Sequence, residues 1–309
     1  IGYQKRDTRA REAYGTATAL DPFDPNYFED EPVTSALVKG GWNARETTQL
    51  GVYLQDQLEW QGLNVVLSGR QDYLDRQIVP AGGEIASRSD DKFTWRGAVL
   101  YESKIGLSPY FSYSEGFSPG AFSADQNGNI SDPVESDQYE IGVKYKPNGI
   151  DALFTVALYD LTQKNIQQRA TVTNPVFVGV GDIQSRGVEF SAEGDINDKL
   201  HVIAGYSYSD VEYQQNINAQ ALTARKGATP ARTPEQLASL WVRYDFPRHV
   251  QAGVGANYTG KSYADGTETL EVDGYTTADA MLRTDLGEWA RQLDGASLQL
   301  NVNNVFNKE

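Results

Sequence analysis

Glu46-Thr-Thr-Gln-Leu-Gly-Val-Tyr-Leu-Gln-Asp-Gln-Leu-Glu-Trp60 is a run in which polar and apolar side chains alternate. Leu50, Val52, Leu54, Leu58 and Trp60 fall on one side of an extended chain, interrupted by Asp56, while Gln49, Gly51, Tyr53, Gln55 and Gln57 fall on the other. Successive side chains of a strand point to opposite faces, so this segment is a strand with one face fit for hydrocarbon and one fit for water. The pattern returns in Tyr139, Ile141, Val143 and Tyr145 against Glu140, Gly142 and Lys144. It returns again in Val250, Ala252, Val254, Ala256 and Tyr258 against Gln251, Gly253, Gly255, Asn257 and Thr259, and near the end in Leu298, Leu300 and Val302 against Gln299, Asn301 and Asn303.

Extending this reading along the chain predicts about 13 strands, most of them long enough to cross a bilayer at a tilt. Soluble sandwiches use shorter strands, of about 5 or 6 residues. Here patterns such as Leu63 to Ile78 and Leu200 to Tyr213 run on without a break. The connections alternate in size. Short turns are expected at Gln61-Gly62, Ser103 to Gly106, Asn148-Gly149, Asn197 to Lys199 and Pro247 to His249. Long polar loops are expected at Asp21 to Arg45, Pro80 to Asp90, Pro119 to Ser136, Gln167 to Val176, Gln214 to Pro234 and Asp265 to Gly274. Outer-membrane barrels place short turns on the periplasmic side and long loops outside, so the alternation assigns a sidedness. Trp60, Tyr101, Tyr145, Phe246 and Trp289 lie close to the short-turn end, where an interfacial aromatic girdle belongs.

Composition agrees. The 309 residues include 18 tyrosines and 29 glycines, one methionine and no cysteine, which favours extended structure with many turns and excludes a disulfide scaffold or a thiolate metal site. A net charge of −15 would repel a polyanion, so nucleic acid is not expected as a partner. The hydrophobic fraction of 39% and mean hydropathy of −0.52 would suit a soluble protein, and no apolar run is long enough for a spanning helix. A barrel escapes that test, because its strands need apolar residues only at every second position. The fold class that follows is all-β, a transmembrane antiparallel β-barrel with long extracellular loops and short periplasmic turns. No signal peptide is visible at Ile1, and the chain opens inside a strand-like pattern, which is read as truncation.

Three features could carry chemistry. Gly116-Phe-Ser-Pro-Gly120 fits the G-x-S-x-G pattern of a hydrolase nucleophile elbow, with Asp151 and His201 following in the right order. That elbow needs a helix after the turn, and Pro119, Gly120 and a polar loop follow Ser118 instead, so a catalytic residue is not expected. His201 and His249 are the only histidines; isolated, each just after a short turn, they make a poor metal site. The acidic stretch Asp21 to Glu31 carries Phe23, Tyr27 and Phe28 among its carboxylates. It reads as a solvated loop tip, as a ligand-gripping vestibule loop that favours neutral or cationic ligands, or as a calcium loop of unfamiliar spacing.

Several runs resemble a known family. Leu300-Asn-Val-Asn-Asn-Val-Phe-Asn-Lys-Glu309 is similar to the penultimate strand of TonB-dependent receptors, which ends N-[LV]-F-[DN]-[KR]-x-Y; this chain stops one residue before the tyrosine. Thr48-Gln-Leu-Gly-Val-Tyr-Leu-Gln-Asp-Gln57, Asp90-Asp-Lys-Phe-Thr-Trp-Arg-Gly97, Pro109-Tyr-Phe-Ser-Tyr-Ser-Glu-Gly-Phe117, Gln138-Tyr-Glu-Ile-Gly-Val-Lys-Tyr145 and Ser185-Arg-Gly-Val-Glu189 resemble the ferric hydroxamate, ferrichrome-type receptors in the family's order.

The resemblance implies a barrel of about 22 strands, of which residues 1–309 would supply about strands 9 to 21. The plug domain with its TonB box, the first strands and the last strand would lie elsewhere. It implies active transport of a ferric siderophore across the outer membrane of a Gram-negative bacterium, energised by the TonB complex through the missing N-terminal region. The siderophore itself carries the iron, so no protein cofactor or metal ligand is implied. Other implied partners are outer-membrane lipid and lipopolysaccharide around a monomer. Phe23, Tyr27 and Phe28 of the first long loop, with Phe117 and Phe122 further on, are the pocket candidates. A passive porin or a surface adhesin sharing only the barrel is the alternative.

Overall fold

The computed structural model describes residues 2–14, 38–79, 84–120, 129–169, 177–219, 222–247 and 249–308. The strands are β1 (Gly2–Tyr14), β2 (Val38–Trp60), β3 (Leu63–Val79), β4 (Ala86–Tyr101), β5 (Leu107–Ser118), β6 (Val134–Tyr145), β7 (Asp151–Arg169), β8 (Phe177–Asn197) and β9 (Leu200–Tyr213). They continue with β10 (Ile217–Ala219), β11 (Leu222–Ala224), β12 (Gln236–Phe246), β13 (Val250–Thr259), β14 (Ser262–Tyr263), β15 (Glu271–Val272), β16 (Tyr275–Asp285) and β17 (Ser297–Val302). A 13-stranded sheet has the order β1-β2-β3-β4-β5-β6-β7-β8-β9-β12-β13-β16-β17, and two small sheets pair β10 with β11 and β14 with β15. The main sheet is therefore a meander, each strand lying beside the next long strand in the chain. The all-β expectation and the strand number both hold.

The turns form where the sequence asks for them. Gln61 (φ 49°) and Gly62 (φ 85°) both take positive φ, as a two-residue type I′ hairpin requires. A Cβ on Gly62 would lie 2.7 Å from the Glu102 carbonyl oxygen, so the position is closed to side chains on steric grounds as well. His249 sits within its turn, at φ 50°, rather than after it.

The long connections are shorter than the sequence implies. β2 begins at Val38, inside the expected loop Asp21 to Arg45; β4 begins at Ala86, inside Pro80 to Asp90; and β6 begins at Val134, inside Pro119 to Ser136. β7 runs to Arg169, into the expected loop Gln167 to Val176. In runs such as Ser87-Arg-Ser-Asp-Asp91 both faces are polar, so the alternation that marks a strand is lost while the backbone ladder continues. Two other expected loops contain the small hairpins β10–β11 and β14–β15. The β16–β17 connection holds two 3₁₀ turns, Leu286–Glu288 and Arg291–Leu293, and the Trp289 indole N–H donates to Thr284 Oγ1 at 2.9 Å.

The chain divides into two compact units. The first comprises Ile1–Tyr53, Arg70–Phe93 and Pro119–Pro133. Its buried residues include Leu74, Ile78 and Ile130 together with the polar Asp72 and Arg76. Both charges are held by several partners, although the Arg76 Nε is buried without one. Arg70 grips Asp72 with two bonds, Nε to Oδ2 at 2.6 Å and Nη2 to Oδ1 at 2.8 Å, and Gln49 adds a third at 2.9 Å. The Arg76 guanidinium donates to Asp90 Oδ2 (2.9 Å), to the Pro119 carbonyl (2.7 Å) and to the Ser131 carbonyl (2.8 Å). Arg88 completes the cluster through Asp90, Asp132 and the Ile130 carbonyl. A buried cation is tolerable only when so many acceptors surround it.

The second unit comprises Leu54–Gly69, Thr94–Ser118 and Val134–Glu309. Its ladders from β5 to β9 and from β12 to β17 assign each side chain to a face. Phe111, Ile141, Leu158, Leu240, Val254 and Leu300 all lie on one face and are exposed. So many large apolar side chains left uncovered on one side mark a surface made for a non-aqueous neighbour. Trp60, Tyr101, Tyr145, Phe246 and Trp289, all exposed, lie toward the short-turn end. Midway along β4, β5 and β6 the rings of Trp95, Tyr113 and Tyr139 touch in series, with centroids 4.7 Å apart at each step.

Pro109 modifies this wall. Leu107 exchanges bonds with Ser103, placing the backbone groups of odd-numbered β5 residues toward β4; Gly106 accepts from Lys146 on the opposite side. Pro109 has no N–H to offer β4, and the β4–β5 register ends one residue away, at Leu100↔Tyr110. An apolar groove of about 480 Å³, lined by Val99, Tyr101, Pro109 and Phe111, opens at that point.

Candidate functional site

The opposite face of the second unit is wettable, and it carries the candidate site. Thr155, Ala157 and Tyr159 of β7 face inward with Glu189, Ser191 and Gly187 of β8. The register continues to Gly205, Ser207 and Ser209 on β9, Ser239 and Trp241 on β12, and Gly253, Gly255 and Asn257 on β13. At Thr155, Ala157, Gly187, Ser191, Gly205, Ser207, Ser209, Ser239, Gly253 and Gly255 this surface is built of small side chains, several of them hydroxyls.

The large rings on this face are held against the wall. The Tyr110 ring covers Gly142, where a Cβ would come within 2.6 Å of it, and Tyr159 covers Gly187 at 2.8 Å. Trp241 lies across two glycines, Gly253 and Gly255, at 2.5 and 2.4 Å. Only a residue without a side chain leaves room for a ring to lie flat on the neighbouring strand. Hydrogen bonds fix the same rings. Tyr110 donates its hydroxyl to Glu140 Oε1 at 2.6 Å, Gln138 donates to the other carboxylate oxygen at 3.0 Å, and Lys144 stands 5.4 Å above the Tyr110 ring centroid. The Tyr159 hydroxyl meets Ser209 Oγ at 2.6 Å and Ser185 Oγ at 3.2 Å.

Between these rings lies a trough of about 700 Å³ whose lining includes Glu140, Glu189, Ser191, Gly205, Ser207 and Ser239. A second hollow of about 620 Å³, with Asn64, Arg96, Ser112 and Gln138, shares Tyr110, Glu140 and Lys144 with it. The trough lining mixes apolar groups such as Leu237 and Ala157 with Glu140, Lys144 and Glu189 and with neutral donors and acceptors such as Ser191, Ser207, Ser239 and Asn257.

At the long-loop end the connections after β9 and β13 fasten to one another. Arg232 N–H donates to the Tyr263 carbonyl at 2.7 Å, and Thr229 N–H to Glu268 Oε1 at 3.0 Å. The Asp265 carboxylate accepts from the backbone N–H groups of Thr267 and Thr269, each at 3.0 Å, and from both threonine hydroxyls. Those bonds, the Thr269 hydroxyl foremost, hold the Asp265 carboxyl down at about 2, although the group is partly open to solvent.

Of the pocket candidates, Phe23, Tyr27, Phe28 and Phe122 lie outside the described residues. Phe117 pairs with Glu135 and shares a face with Phe111 and Tyr113, opposite the trough. Ser118 ends β5 and pairs with Val134 at the long-loop end, whereas Asp151 and His201 both pair with Asp195 at the short-turn end. The three residues of the G-x-S-x-G reading are therefore not brought together. His201 bonds Asp195 at 2.9 Å and His249 stands 3.5 Å from Asp285. Among the described residues no group of three or more histidines and carboxylates is arranged to hold a metal. The flat-lying rings escaped sequence reading because each depends on which residue stands opposite on the next strand. Glycines at alternate wettable positions, Gly142, Gly253 and Gly255, were the available signal.

A sequence profile described as TonB dependent receptor-like, beta-barrel matches residues 1–305. The chain belongs to that family. TonB-dependent receptor barrels are proteins of the Gram-negative outer membrane, and the exposed apolar face with aromatics at its short-turn end is the surface such a location requires. This receptor chain is 36% identical, over its whole length, to the ferrioxamine receptor of Yersinia enterocolitica, covering 43% of that protein. It is 38% identical, over 84% of its length, to the ferrichrome outer membrane transporter/phage receptor of Escherichia coli K12, covering 34% of it. The siderophore receptor PiuA of Acinetobacter baumannii superimposes with a TM-score of 0.74 at 23% identity, over 99% of this chain and 48% of that one, a likeness of fold. The receptor chain thus spans under half the length of both of these curated relatives.

Proposed function

We propose that this chain forms the C-terminal barrel wall of a longer receptor that imports a ferric siderophore of the hydroxamate type, energised by TonB. The observation that carries the reading is the family match over residues 1–305 together with 36% identity, along the entire chain, to a protein named for ferrioxamine. In this reading the apolar face meets lipid and lipopolysaccharide, the wettable face looks into the barrel, and a single copy suffices. The siderophore saturates the iron, so the wall is asked only to recognise the outside of an organic complex. A chain carrying −15 charges, with Glu140 and Glu189 on the wettable face, suits neutral or cationic complexes better than polyanionic ones. The external grip would come from loop aromatics, with Phe23, Tyr27, Phe28 and Phe122 as candidates; the register of Phe117 points it the other way. Coupling to TonB would run through a plug domain preceding this segment.

The test is uptake of radio-iron as ferrioxamine or ferrichrome by cells whose only hydroxamate receptor is the full-length protein. Uptake that vanishes on deletion of TonB is the expected result; equal uptake with and without TonB overturns the reading.

A further inference from the structure

On the apolar face the ladders of β5, β6 and β7 place Pro109, Val143 and Val156 side by side in one row across the strands. The next row toward the long loops holds Phe111, Ile141 and Leu158, and the next row toward the short turns holds Leu107, Tyr145 and Phe154. A row of short side chains thus lies between two rows of bulkier ones. The groove of about 480 Å³ follows that row, walled by Phe111, Ile141 and Leu158 and reaching Val99 and Tyr101 of β4. Four strands at the usual sheet spacing give it a length of about 14 Å. Pro109 brings a ring and no N–H to the floor, so an apolar occupant meets no donor there.

The position of the groove decides what can fill it. Lipid tails are as apolar as leucine, so in the membrane contact selects an occupant and escape from water does not. A chain on the flat wall touches protein along one side, whereas a chain in the groove is touched along its flanks as well, and such small dispersion contacts add. The groove lies on the short-turn half of the wall, where Tyr101 and Tyr145 stand exposed. Short turns mark the periplasmic side, and tyrosines at that level turn their hydroxyls to the headgroup region. The periplasmic leaflet is made of phospholipid, and the chains of lipopolysaccharide enter from the opposite side.

We propose that this groove is a phospholipid site: it seats one acyl chain of a periplasmic-leaflet phospholipid, and the Tyr101 and Tyr145 hydroxyls donate to the glycerol-ester oxygens of the same molecule. The site depends on the outer-membrane location and is independent of what the receptor imports.

The test uses the full-length receptor in vesicles of phosphatidylethanolamine and phosphatidylglycerol, with a graded fraction of phosphatidylethanolamine that carries a diazirine midway along one chain. After illumination the cross-linked peptides are quantified by mass spectrometry. Labelling around Pro109, Val143 and Val156 should saturate while the probe is still a minor component. Labelling at Leu282 and Leu300, exposed on the same apolar face, should rise in proportion to the probe. Val143→Phe combined with Val156→Phe raises the floor toward its walls and should lower labelling in the groove at least about fivefold, with labelling at Leu282 and Leu300 and heat-modifiable mobility unchanged. Proportional labelling everywhere on the wild-type wall overturns the proposal, whether or not the double variant folds. Displacement of the probe from the groove by added lipid A overturns the choice of occupant. Iron uptake has no part in the readout, so failure of the import reading is seen separately, as absence of ferrichrome uptake by the wild type.

Discussion

The Arg76 guanidinium bonds the Asp90 carboxylate at 2.9 Å with its side chain wholly buried, and the same guanidinium holds the carbonyls of Pro119 and Ser131. One cation thereby ties β3, β4 and both described ends of the β5–β6 connection into the first unit. Arg76→Met leaves Asp90 and two carbonyls without that donor, and should destabilise the receptor by about 3 kcal/mol. Arg76→Lys should recover only part of it, since an ammonium cannot reproduce the planar fork. Urea unfolding of the full-length protein in detergent, followed by loss of heat-modifiable mobility, gives the order; equal stability of Arg76→Met and wild type would refute the role.

The contact between Trp241 and Gly253 predicts a specific non-additivity. Gly253→Val forces the indole off the wall and should cost about 1 to 3 kcal/mol. In a Trp241→Ala background the same substitution should cost much less, because the atom it would strike is gone. A double-mutant cycle with no coupling would remove the claim that the ring needs the glycine.

Leu158 and Thr155 lie on opposite faces of β7, one exposed on the apolar side and one in the trough lining. Leu158→Arg should cost about 2 to 4 kcal/mol of folding into phospholipid vesicles, the penalty of a cation in the hydrocarbon layer. Thr155→Arg should fold nearly as well as wild type. The reverse ranking would exchange the two faces.

Asp265 titrates outside the apolar band. Its carboxyl is held at about 2, below the ordinary 3.8, so the four bonds from Thr267 and Thr269 are at full strength above the ordinary carboxylate value. They are lost as pH falls through about 2. Aspartate-selective ¹³C labelling should show a carboxyl resonance that is missing in Asp265→Asn and is still ionised near pH 3 in the unsubstituted protein. A midpoint near 3.8 for that resonance would dissolve the predicted linkage.

Alternation alone carried the fold. Glu46 to Trp60 and Val250 to Thr259 expose their two faces at a glance, because a membrane wall must be apolar at every second residue. That signal stops where both faces are wet, which is why Ala86 to Asp90 reads as loop although its ladder continues, whereas between Val38 and Arg45 the residues Val38, Trp42 and Ala44 do alternate with Lys39, Asn43 and Arg45 and the signal is there to be read. The site was less legible. Ser207 and Ser239 are unremarkable as residues, and acquire meaning only when Gly205, Gly253 and Trp241 are placed around them by register. Arg76 carries no local mark either, since its partners stand 14, 43 and 55 residues away.

The rings that lie on glycines also constrain how this protein can diverge. At Gly142, Gly187, Gly253 or Gly255 even a methyl group would overlap the facing ring, so the ring must be trimmed first and the glycine released afterwards. Lineages descending from this sequence should therefore trade these positions as couples, with the bulky member always the first to change.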